Sequence, residues 1–172
     1  MRVGYTSTKS QIFSIDFIIA VSLFLIVAVL VYYLTIDLYQ IKESEFDKRV
    51  ANAKLLSSEL VSSGYPSGWK SGDVVKIGLT DGEFRLNISK LKEFSSIGYS
   101  NSKRLLSSNY DYYVYFEYRN GSQIEFDGIE GIGKPGVTKD NLVDLEKPKH
   151  LVKIYRFLFY NSEIIRMVIY VW

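Results

Sequence analysis

Two overlapping glycine patterns are the stretches of this chain that most resemble motifs with chemistry attached. Residues 131–136 read GIGKPG and match the G-x-G-x-x-G of dinucleotide sites, while residues 128–134 match the G-x-x-x-x-G-K of phosphate-binding loops. Both motifs require a helix that opens at the glycines, so that its first amides meet a phosphate. Pro135 stands where the second motif needs Ser or Thr for Mg²⁺, and no helical pattern follows it. We therefore interpret residues 128–148 as a surface loop that holds no cofactor.

The side chains that could bind a metal or transfer a proton are scattered along the sequence. His150 is the only histidine, and the absence of cysteine excludes disulfides, thiolate metal sites and a cysteine nucleophile. A single imidazole cannot build a multi-histidine zinc site, and no serine or carboxylate is spaced around it as a triad requires. Asp73, Asp81 and Glu83 lack the spacing of a calcium loop and fit turns and strand edges. The sequence predicts no catalytic residue, no metal ligand and no cofactor, and so a protein that is not an enzyme.

The charge of the chain bears on its binding partners, and its aromatic content bears on its fold. The net charge is +2, and Lys and Arg alternate with Asp and Glu instead of forming a basic face. Binding to nucleic acid needs clustered positive charge, so no nucleic-acid partner is expected. The chain has 14 Tyr and 10 Phe. Because aromatic residues suit half-buried strands, this content predicts a β-rich domain.

An uninterrupted apolar run from Phe17 to Leu34 is the strongest pattern in the sequence. The run contains no charged side chain, and Ser22 is its only strongly polar one. At 1.5 Å per residue it spans roughly 27 Å, close to a hydrocarbon core of about 30 Å. Tyr32 and Tyr33 stand at its far end, where amphipathic rings favour the headgroup level. The run predicts a single-pass transmembrane helix.

Two other kinds of helix share this apolar composition. A buried core helix of a soluble protein rarely stays apolar on every face for several turns. A cleaved secretory signal peptide has a shorter apolar region, usually of about 7–15 residues, followed by a small-residue cleavage site. Here Asp37 and a polar helical pattern follow the run instead. A retained membrane anchor is therefore the favoured interpretation.

The residues just before the apolar run resemble a known processing signal. Residues 8–19 read TKSQIFSIDFII, with a polar, basic leader that ends at Ser10, then Gln11, then the carboxylate of Asp16. This order resembles the class III signal peptide of archaeal type IV pilin-like proteins, which a prepilin peptidase cuts just before a Gln. The resemblance implies cleavage between Ser10 and Gln11, with the apolar helix kept on the mature protein. The family usually has Gly or Ala before the cut and an acid at the fifth mature position, whereas Asp16 would be the sixth.

Asp16 has two interpretations. A carboxylate costs about 2.5–3.5 kcal/mol at the centre of a membrane helix and less near its end, so it persists best beside a cation. In pilin assembly that cation is the new α-ammonium group of a neighbouring subunit, and the resemblance implies the same role for Asp16. The alternative is that Asp16 lies at the headgroup level, where water hydrates it and it caps the helix.

These patterns predict four segments: a leader peptide (1–10), a transmembrane helix (11–35), an amphipathic helix extension (36–63) and an extracytoplasmic β-rich domain (64–172). The extension carries an apolar stripe, because its apolar residues recur at spacings of three to five. The stripe consists of Leu38, Ile41, Phe46, Val50, Ala53, Leu56 and Leu60. We expect it to pack on the β-rich domain, and a coiled coil with another subunit is the alternative.

The β-rich domain is predicted from alternating apolar residues and turn pairs. The predicted strands are Asp73–Leu79, Glu83–Leu86, Tyr110–Tyr118, Gln123–Asp127, Leu151–Tyr160 and Glu163–Trp172, and the predicted short helices are Ile88–Ser95 and Asn101–Ser107. The fold class is α+β: a long N-terminal transmembrane and amphipathic helix followed by an antiparallel sheet, as in pilins. Alternation places half of the tyrosines between residues 110 and 118 in the core, and a stacking surface made by these tyrosines is the alternative.

Positive charges lie on both sides of the anchor, so the charge distribution alone does not determine its orientation in the membrane. Two N-x-S/T triplets begin at Asn87 and Asn120 and favour export of the domain, where they are candidate glycosylation sites. We expect a cell-membrane protein with its C-terminal domain outside, or a subunit of an extracellular filament.

The predicted function is that of a structural or adhesive subunit in a type IV pilus-like filament. Its partners are the membrane, a prepilin peptidase, and further copies or related pilin-like subunits that pack through the N-terminal helix. The alternative is a non-polymerising, single-pass module that displays its domain to bind a solute, a glycan or a partner receptor.

Overall fold

The computed structural model of the chain describes residues 9–142 and 151–172. Within the long first helix, side chains are described from Ile15 to Tyr39 and from Glu45 onward. The chain separates into two units, and the division falls between Glu45 and Phe46. The α+β layout that the sequence predicts is confirmed: one long N-terminal helix precedes an antiparallel sheet.

Helix α1 (Lys9–Val61) is the longest element. No glycine or proline occurs between its ends, so nothing in its sequence interrupts the backbone hydrogen bonding. It runs without a break across the predicted segment boundaries after residues 10 and 35, which stay predictions. At its C-terminal end the hydroxyl of Ser62 donates to Glu59 O at 2.7 Å, and Gly64 at φ +73° turns the chain away.

Two short helices and five described strands follow α1. They are α2 (Ile88–Ser96), α3 (Tyr99–Leu105), β1 (Tyr112–Glu117), β2 (Gln123–Ile124), β3 (Gly131–Gly133), β4 (Val152–Tyr160) and β5 (Glu163–Val171). The strands form one antiparallel sheet in the order β2-β1-β5-β4, and β3 pairs with β1 on the same edge as β2. β4 is therefore an edge strand, and β5 lies in the middle of the sheet.

The predicted strands Leu151–Tyr160 and Glu163–Trp172 are confirmed as β4 and β5, which form a hairpin. The two strands pair in register from Tyr160 with Glu163 to Val152 with Val171. Asn161 and Ser162 connect them with φ of +47° and +64°. Two consecutive left-handed residues form the turn whose twist matches that of paired strands, and Asn tolerates this conformation well.

The core lies between one face of the sheet and the last turns of α1. Ala53, Leu56 and Leu60 are completely buried. They pack in one cluster with the inward residues of the central strands, which include Val114, Phe116, Ile165, Met167, Ile169 and Val171. The predicted stripe therefore packs on the sheet through its last part, with Val50 half-buried at its border. Leu38 and Phe46 from the earlier part of the stripe are exposed.

The two strands predicted over 73–79 and 83–86 are wrong. These segments make only isolated bridges. Lys76 bridges Tyr65, Leu86 bridges Thr80, and Arg85 makes one parallel bridge to Phe159 of β4. At Leu79 the backbone serves the end of α1 instead, while Phe84 and Leu86 bond to Phe159 at the edge of β4. The amide of Leu79 donates to Leu60 O at 2.8 Å and that of Thr80 donates to Ser62 O at 3.1 Å. Alternation reports burial, but at Leu79 the buried backbone satisfies a helix end and not a neighbouring strand.

The loop predicted over residues 128–148 contains a strand, β3, that the sequence analysis missed. A Cβ added at Gly131 would lie 2.3 Å from the hydroxyl of Tyr113, and one at Gly133 would lie 2.3 Å from Tyr112 O. The glycines thus allow β3 to approach β1 closely, which explains the G-x-G pattern without any phosphate. Residues 143–150 of this loop lie outside the described residues.

Other boundaries differ by a few residues. Asn87 caps α2 as predicted, because its Oδ1 accepts from Lys90 N at 3.2 Å. Helix α3 begins at Tyr99, two residues before the predicted helical turn. Strand β2 ends at Ile124, before the predicted end at Asp127, because Asp127 adopts φ +52° and turns the chain.

Gly78 offers a test of the contact between the 73–80 segment and the end of α1. A Cβ at Gly78 would lie 2.2 Å from Gly64 N and 2.4 Å from Ser62 O, both backbone atoms that cannot rotate aside. We expect Gly78→Ala to lower the free energy of unfolding by about 1–3 kcal/mol, as overpacked sites do. Thermal unfolding of the full chain in detergent micelles, followed by near-UV circular dichroism, measures the change.

Gly72→Ala is the matched control, because a Cβ there meets nothing within 4 Å. We expect it to change the free energy of unfolding by less than about 0.5 kcal/mol. Equal melting temperatures for the two variants would contradict the close approach at Gly78.

Candidate functional site

The first unit of the chain contains a helix segment that is apolar on all sides. The most apolar 18-residue window of Ile15–Tyr39 has a mean hydropathy of 2.8, and none of that window is buried in the protein. Phe17 and Phe24 expose 69% and 70% of their surface. A segment of this length and composition can cross a membrane, and it is compatible with a membrane anchor or a signal sequence. Large apolar side chains left in water on every face are unfavourable, so this segment requires an apolar environment.

Two carboxylates lie near the two ends of the apolar segment. Asp16 and Asp37 are exposed, and no charged side chain occurs between them. They are 21 positions apart (37 − 16), which corresponds to about 32 Å along a helix, close to the thickness of a hydrocarbon core. Between them the hydroxyl of Thr35 donates to Val31 O at 2.7 Å, which satisfies a polar group inside the segment. Asp16 therefore lies at one end of the apolar segment and not at its centre.

The predicted cleavage site lies at the very start of α1. Ser10 and Gln11 follow Lys9, the first helical residue. Their side chains and residues 1–8 of the predicted leader lie outside the described residues. The structure thus places the backbone of the site in the first helical turn, five residues before Asp16.

The two predicted glycosylation sites differ in their surroundings. Asn87 is half-buried, and its side chain is occupied as the cap of α2. Asn120 is exposed in the turn between β1 and β2, where its Oδ1 accepts from Ser122 N at 3.0 Å and from the Ser122 hydroxyl at 2.7 Å. The amide nitrogen of Asn120, which would carry a glycan, is therefore in an accessible turn.

Asp111 is the centre of a polar cluster that the sequence analysis did not predict. Its Oδ1 accepts from the Tyr99 hydroxyl and from Lys103 Nζ, both at 2.7 Å, and its Oδ2 accepts from Lys134 Nζ at 2.6 Å. Its backbone exchanges two hydrogen bonds of 3.0 Å with Trp172. Helix α3, the residue after β3 and the end of β5 therefore meet at Asp111. Tyr99 and Lys103 lie one turn apart on α3, whereas Asp111 and Lys134 come from other segments, so no spacing pattern in the sequence links all four.

The electrostatics of this cluster favour a structural role. Burial alone would raise the pKa of the Asp111 carboxyl, but the three donors outweigh it and hold that pKa well below its usual range. Burial, and then the hydrogen bond to Asp111, raises the pKa of Tyr99 above its ordinary value. Asp111 thus stays ionised and Tyr99 stays protonated over the ordinary pH range. A carboxylate with both oxygens occupied by donors is a weak base, so its effect is to tie three segments together.

Cations cover the tyrosines on the sheet face away from α1. Lys153 Nζ lies 4.9 Å from the ring centre of Tyr170 and 5.0 Å from that of Tyr155, and Lys139 Nζ lies 5.5 Å from that of Tyr115. Such contacts stabilise by about 0.5–2 kcal/mol each, depending on their exposure. The arrangement shields a second, smaller apolar cluster on this face of the sheet.

A buried carboxylate lies in the same layer. Glu117 exposes only 6% of its surface and pairs with Arg166 at 2.9 Å and with Lys139 at 3.8 Å. A buried charge persists only with such partners, so this pair also holds the outer face together.

A tyrosine surface is only partly compatible with the structure. Tyr112, Tyr113 and Tyr115 are buried, and burial raises the pKa of Tyr112 to about 12. Tyr118 retains 38% exposure. A stacking platform built from all five tyrosines is therefore wrong, because β1 is covered on both faces.

The acids considered as calcium ligands occupy turns. Asp73 Oδ1 accepts from Lys70 N at 2.6 Å, and Asp81 Oδ1 accepts from Glu83 N at 3.3 Å. Among the described side chains, at residues 15–39, 45–142 and 151–172, no three His, Asp or Glu gather as a metal site would require. His150 lies outside the described residues.

No protein-family model matches the chain, and neither a curated protein nor a solved structure shows significant similarity to it. The likeness to archaeal type IV pilins therefore rests on residues 8–19 and on the α+β layout.

The low pKa of Asp111 predicts an acid-dependent contribution to stability. A carboxyl whose pKa is lower in the folded protein stabilises it above the unfolded pKa, near 3.9, and this contribution is lost as the pH falls further. We expect Asp111→Asn to lower the free energy of unfolding by about 1–2 kcal/mol at pH 7. The difference from the unmodified chain should shrink as the pH falls from about 4 towards 2. Denaturant titrations across this pH range measure it.

Asp127→Asn is the control for Asp111→Asn. Asp127 pairs with Lys92 at 2.6 Å, but both side chains are more than half exposed. Exposed pairs contribute little, so we expect a change below about 0.5 kcal/mol at any pH. A pH-independent effect of Asp111→Asn would show that Asp111 acts through packing and not through its charge.

The accessibility of the two asparagines predicts which one is modified. In a host that glycosylates exported N-x-S/T triplets, we expect a glycan on Asn120 and none on Asn87, because Asn87 is held as a helix cap. Intact-mass measurement should show that Asn120→Gln removes the added mass. A glycan that persists in Asn120→Gln and disappears in Asn87→Gln would contradict this assignment.

Proposed function

We propose that the chain is a membrane-anchored, pilin-like surface protein with a structural or adhesive function. A prepilin peptidase cuts it between Ser10 and Gln11, and the mature protein retains the apolar helix. The sheet domain is outside the cell, either at the membrane or as part of a filament.

The observation that carries this proposal is the apolar segment Ile15–Tyr39, exposed at every residue except the half-buried Ile36, on a helix that also supplies core residues to the sheet domain. Within one helix, Ala53, Leu56 and Leu60 bury their side chains under the sheet, while residues 15–39 expose theirs. This combination supports a helix that serves as an anchor and, in an assembly, as a packing surface for other subunits. The Gln11 and Asp16 positions add the resemblance to the pilin signal.

Asp16 has a specific role in the proposed assembly. Cleavage creates an α-ammonium group at Gln11, and in the lipid-facing part of a helix bundle a cation and a carboxylate stabilise each other. The Asp16 carboxylate of one subunit forms an ion pair with the α-ammonium group of its neighbour and accepts a hydrogen bond from it. This pairing favours a defined stagger between neighbouring helices, because the two charges must lie at the same depth.

The alternative function is a non-polymerising, single-pass module that binds a solute, a glycan or a partner protein. The exposed aromatic side chains of β4 favour it: Tyr155, Phe157 and Phe159 expose 44%, 64% and 48% of their surfaces. Aromatic groups exposed together on one face of a sheet are typical of interaction surfaces. Recovery of the protein in membranes but not in purified filaments supports this alternative.

Processing is tested by expressing the full chain in membranes together with a prepilin peptidase or with an inactive form of that enzyme. Mass spectrometry should detect a species that starts at Gln11 only with the active peptidase. We expect Ser10→Gly to be cut at least as fast, because the family prefers a small residue before the cut, and Ser10→Leu to be cut more slowly. An intact Met1 in all samples would reject the proposal.

The role of Asp16 is tested with the isosteric Asp16→Asn, which removes the charge and keeps the shape. We expect normal processing at Gln11 and a loss of filament recovery or of intersubunit crosslinking through the helix. Asp37→Asn, at the other end of the apolar segment, is the matched control and should leave assembly unchanged. Equal assembly of Asp16→Asn and the unmodified chain would contradict the pairing.

A further inference from the structure

The outer edge of β4 exposes unpaired backbone. Phe159 directs its amide and carbonyl away from β5, because its amide donates to Phe84 O and its carbonyl accepts from Leu86 N, both at 2.9 Å. Backbone groups alternate in direction along an antiparallel strand, so Lys153, Tyr155 and Phe157 direct theirs to the same side. In the described part of the chain no residue pairs with these three.

The chain itself begins an additional strand beside β4 and then leaves it. Arg85 bridges Phe159 in parallel orientation. Before this bridge, Phe84 and Gly82 adopt φ of +58° and +100°, and the chain turns away from β4. The pairing position beside residues 153–157 is thus a direct continuation of a pairing that already exists, and it is left empty by the turn.

A groove of about 860 Å³ lies along this edge. Its lining combines the end of α1, the turn at Phe84 and the middle of β4, through Ser58, Val61, Ser62, Ser63, Gly82, Phe84, Tyr155, Arg156 and Phe157. Phe84 and Phe157 expose 56% and 64% of their surfaces. Natural edge strands are usually protected by charges, proline or a covering loop. Of the three outward positions here, only Lys153 carries a charge, and Tyr155 and Phe157 are exposed aromatic residues.

Arg156 supplies a charge on the inner side of the groove. Its guanidinium donates to the hydroxyl of Ser57 at 2.9 and 3.1 Å and to that of Ser58 at 3.3 Å. Within the described ranges no carboxylate lies within ion-pair distance of it. A cation held by neutral hydroxyls at a groove wall is a ready partner for an acidic side chain.

We propose that the edge of β4 at residues 153–157 binds an extended segment of a partner polypeptide, which adds a strand to the sheet. The amides and carbonyls of Lys153, Tyr155 and Phe157 bind its main chain, as in other cases of strand addition. Apolar side chains on one face of the segment contact Tyr155 and Phe157. An acidic side chain on its other face reaches Arg156. This inference is independent of processing at Gln11.

The test uses the full chain in detergent micelles and the synthetic peptide VTVEVTV, which has apolar residues on one face and a central Glu on the other. Hydrogen exchange is measured at single-residue resolution. We expect the peptide to slow exchange of the Tyr155 and Phe157 amides at least about tenfold, because they gain hydrogen bonds. The amides of Arg156 and Leu158 face β5 and are internal controls that should not change. Unchanged exchange at Tyr155 and Phe157 with millimolar peptide would overturn the proposal.

Tyr155→Pro removes the central outward amide and leaves the pairing with β5 intact, and Tyr155→Thr is its control because it keeps the amide. We expect the proline variant to bind VTVEVTV at least about tenfold more weakly than the threonine variant. Equal affinities would overturn the proposal, and where the proline variant does not fold, the exchange experiment on the unmodified chain decides.

Arg156→Gln tests the charge preference. We expect it to weaken binding of VTVEVTV and to leave binding of VTVQVTV unchanged, since only the first peptide carries the carboxylate. An equal loss for both peptides would overturn the proposed contact with Arg156. Self-association of the chain without peptide, abolished by Tyr155→Pro, would replace the partner polypeptide with a second copy and overturn the proposal.

Discussion

The packing of the last turns of α1 against the sheet is the contact on which the rest of the domain depends. Ala53, Leu56 and Leu60 have no exposed surface, and they belong to the same cluster as the inward residues of β1 and β5. A sheet with one face uncovered would leave a large apolar surface in water, at about 25 cal/mol for each Å². The last turns of α1 cover the central strands together with Leu91 and Phe94 of α2, which belong to the same cluster.

The same helix must also satisfy its C-terminal carbonyls inside the domain, and the residues around its end do this together. Leu79 and Thr80 donate backbone amides to Leu60 O and Ser62 O. Lys90 is buried, and its Nζ donates to Ser63 O at 2.7 Å and to Thr80 O at 2.8 Å. Burial lowers the pKa of Lys90, while the nearby charge of Asp81 raises it in part. The end of the first predicted strand, at Leu79, is therefore better understood as part of the cap of α1.

This explains which parts of the fold could be predicted from the sequence. Strands β4 and β5 were predicted within a residue of their bounds, because their alternation, their aromatic content and the Asn161-Ser162 turn all indicate the same hairpin. The N-cap at Asn87 was predicted for a similar reason, since a local hydrogen bond decides it. In contrast, residues 73–79 satisfy the composition of a strand, but their backbone partners include Tyr65, in the turn after α1, and Leu60, on α1 itself. Composition reports burial and does not report which backbone is the partner.

The candidate sites differ in the same way: some are contiguous in the sequence, and others are assembled only by folding. Residues 10–16 form a linear pattern that can be compared directly with known processing signals, because such signals act through their order along the chain. The cluster at Asp111 could not be read, because α3 (with Tyr99 and Lys103), Asp111 and Lys134 are three separate segments that only the folded domain brings together. The G-x-G of β3 is a different case. The sequence analysis rejected it as a phosphate site but missed the strand, in which the glycines allow a close approach to Tyr113 and Tyr112.

The distribution of exposed apolar surface gives a last argument about how such a protein works. The buried core is well formed, so the exposed apolar side chains are not the result of poor packing. Residues 15–39 present large side chains on all sides of a helix, whereas β4 presents Tyr155 and Phe157 on one face of a strand beside unpaired backbone. The first arrangement suits an isotropic apolar solvent or other helices, since it has no preferred direction and the helix leaves no backbone hydrogen-bonding groups free. The second suits one directional partner, because unpaired amides and carbonyls need matched acceptors and donors at strand spacing. A chain with both surfaces can be held at a membrane or in a helix bundle by the first and still use the second for a separate contact.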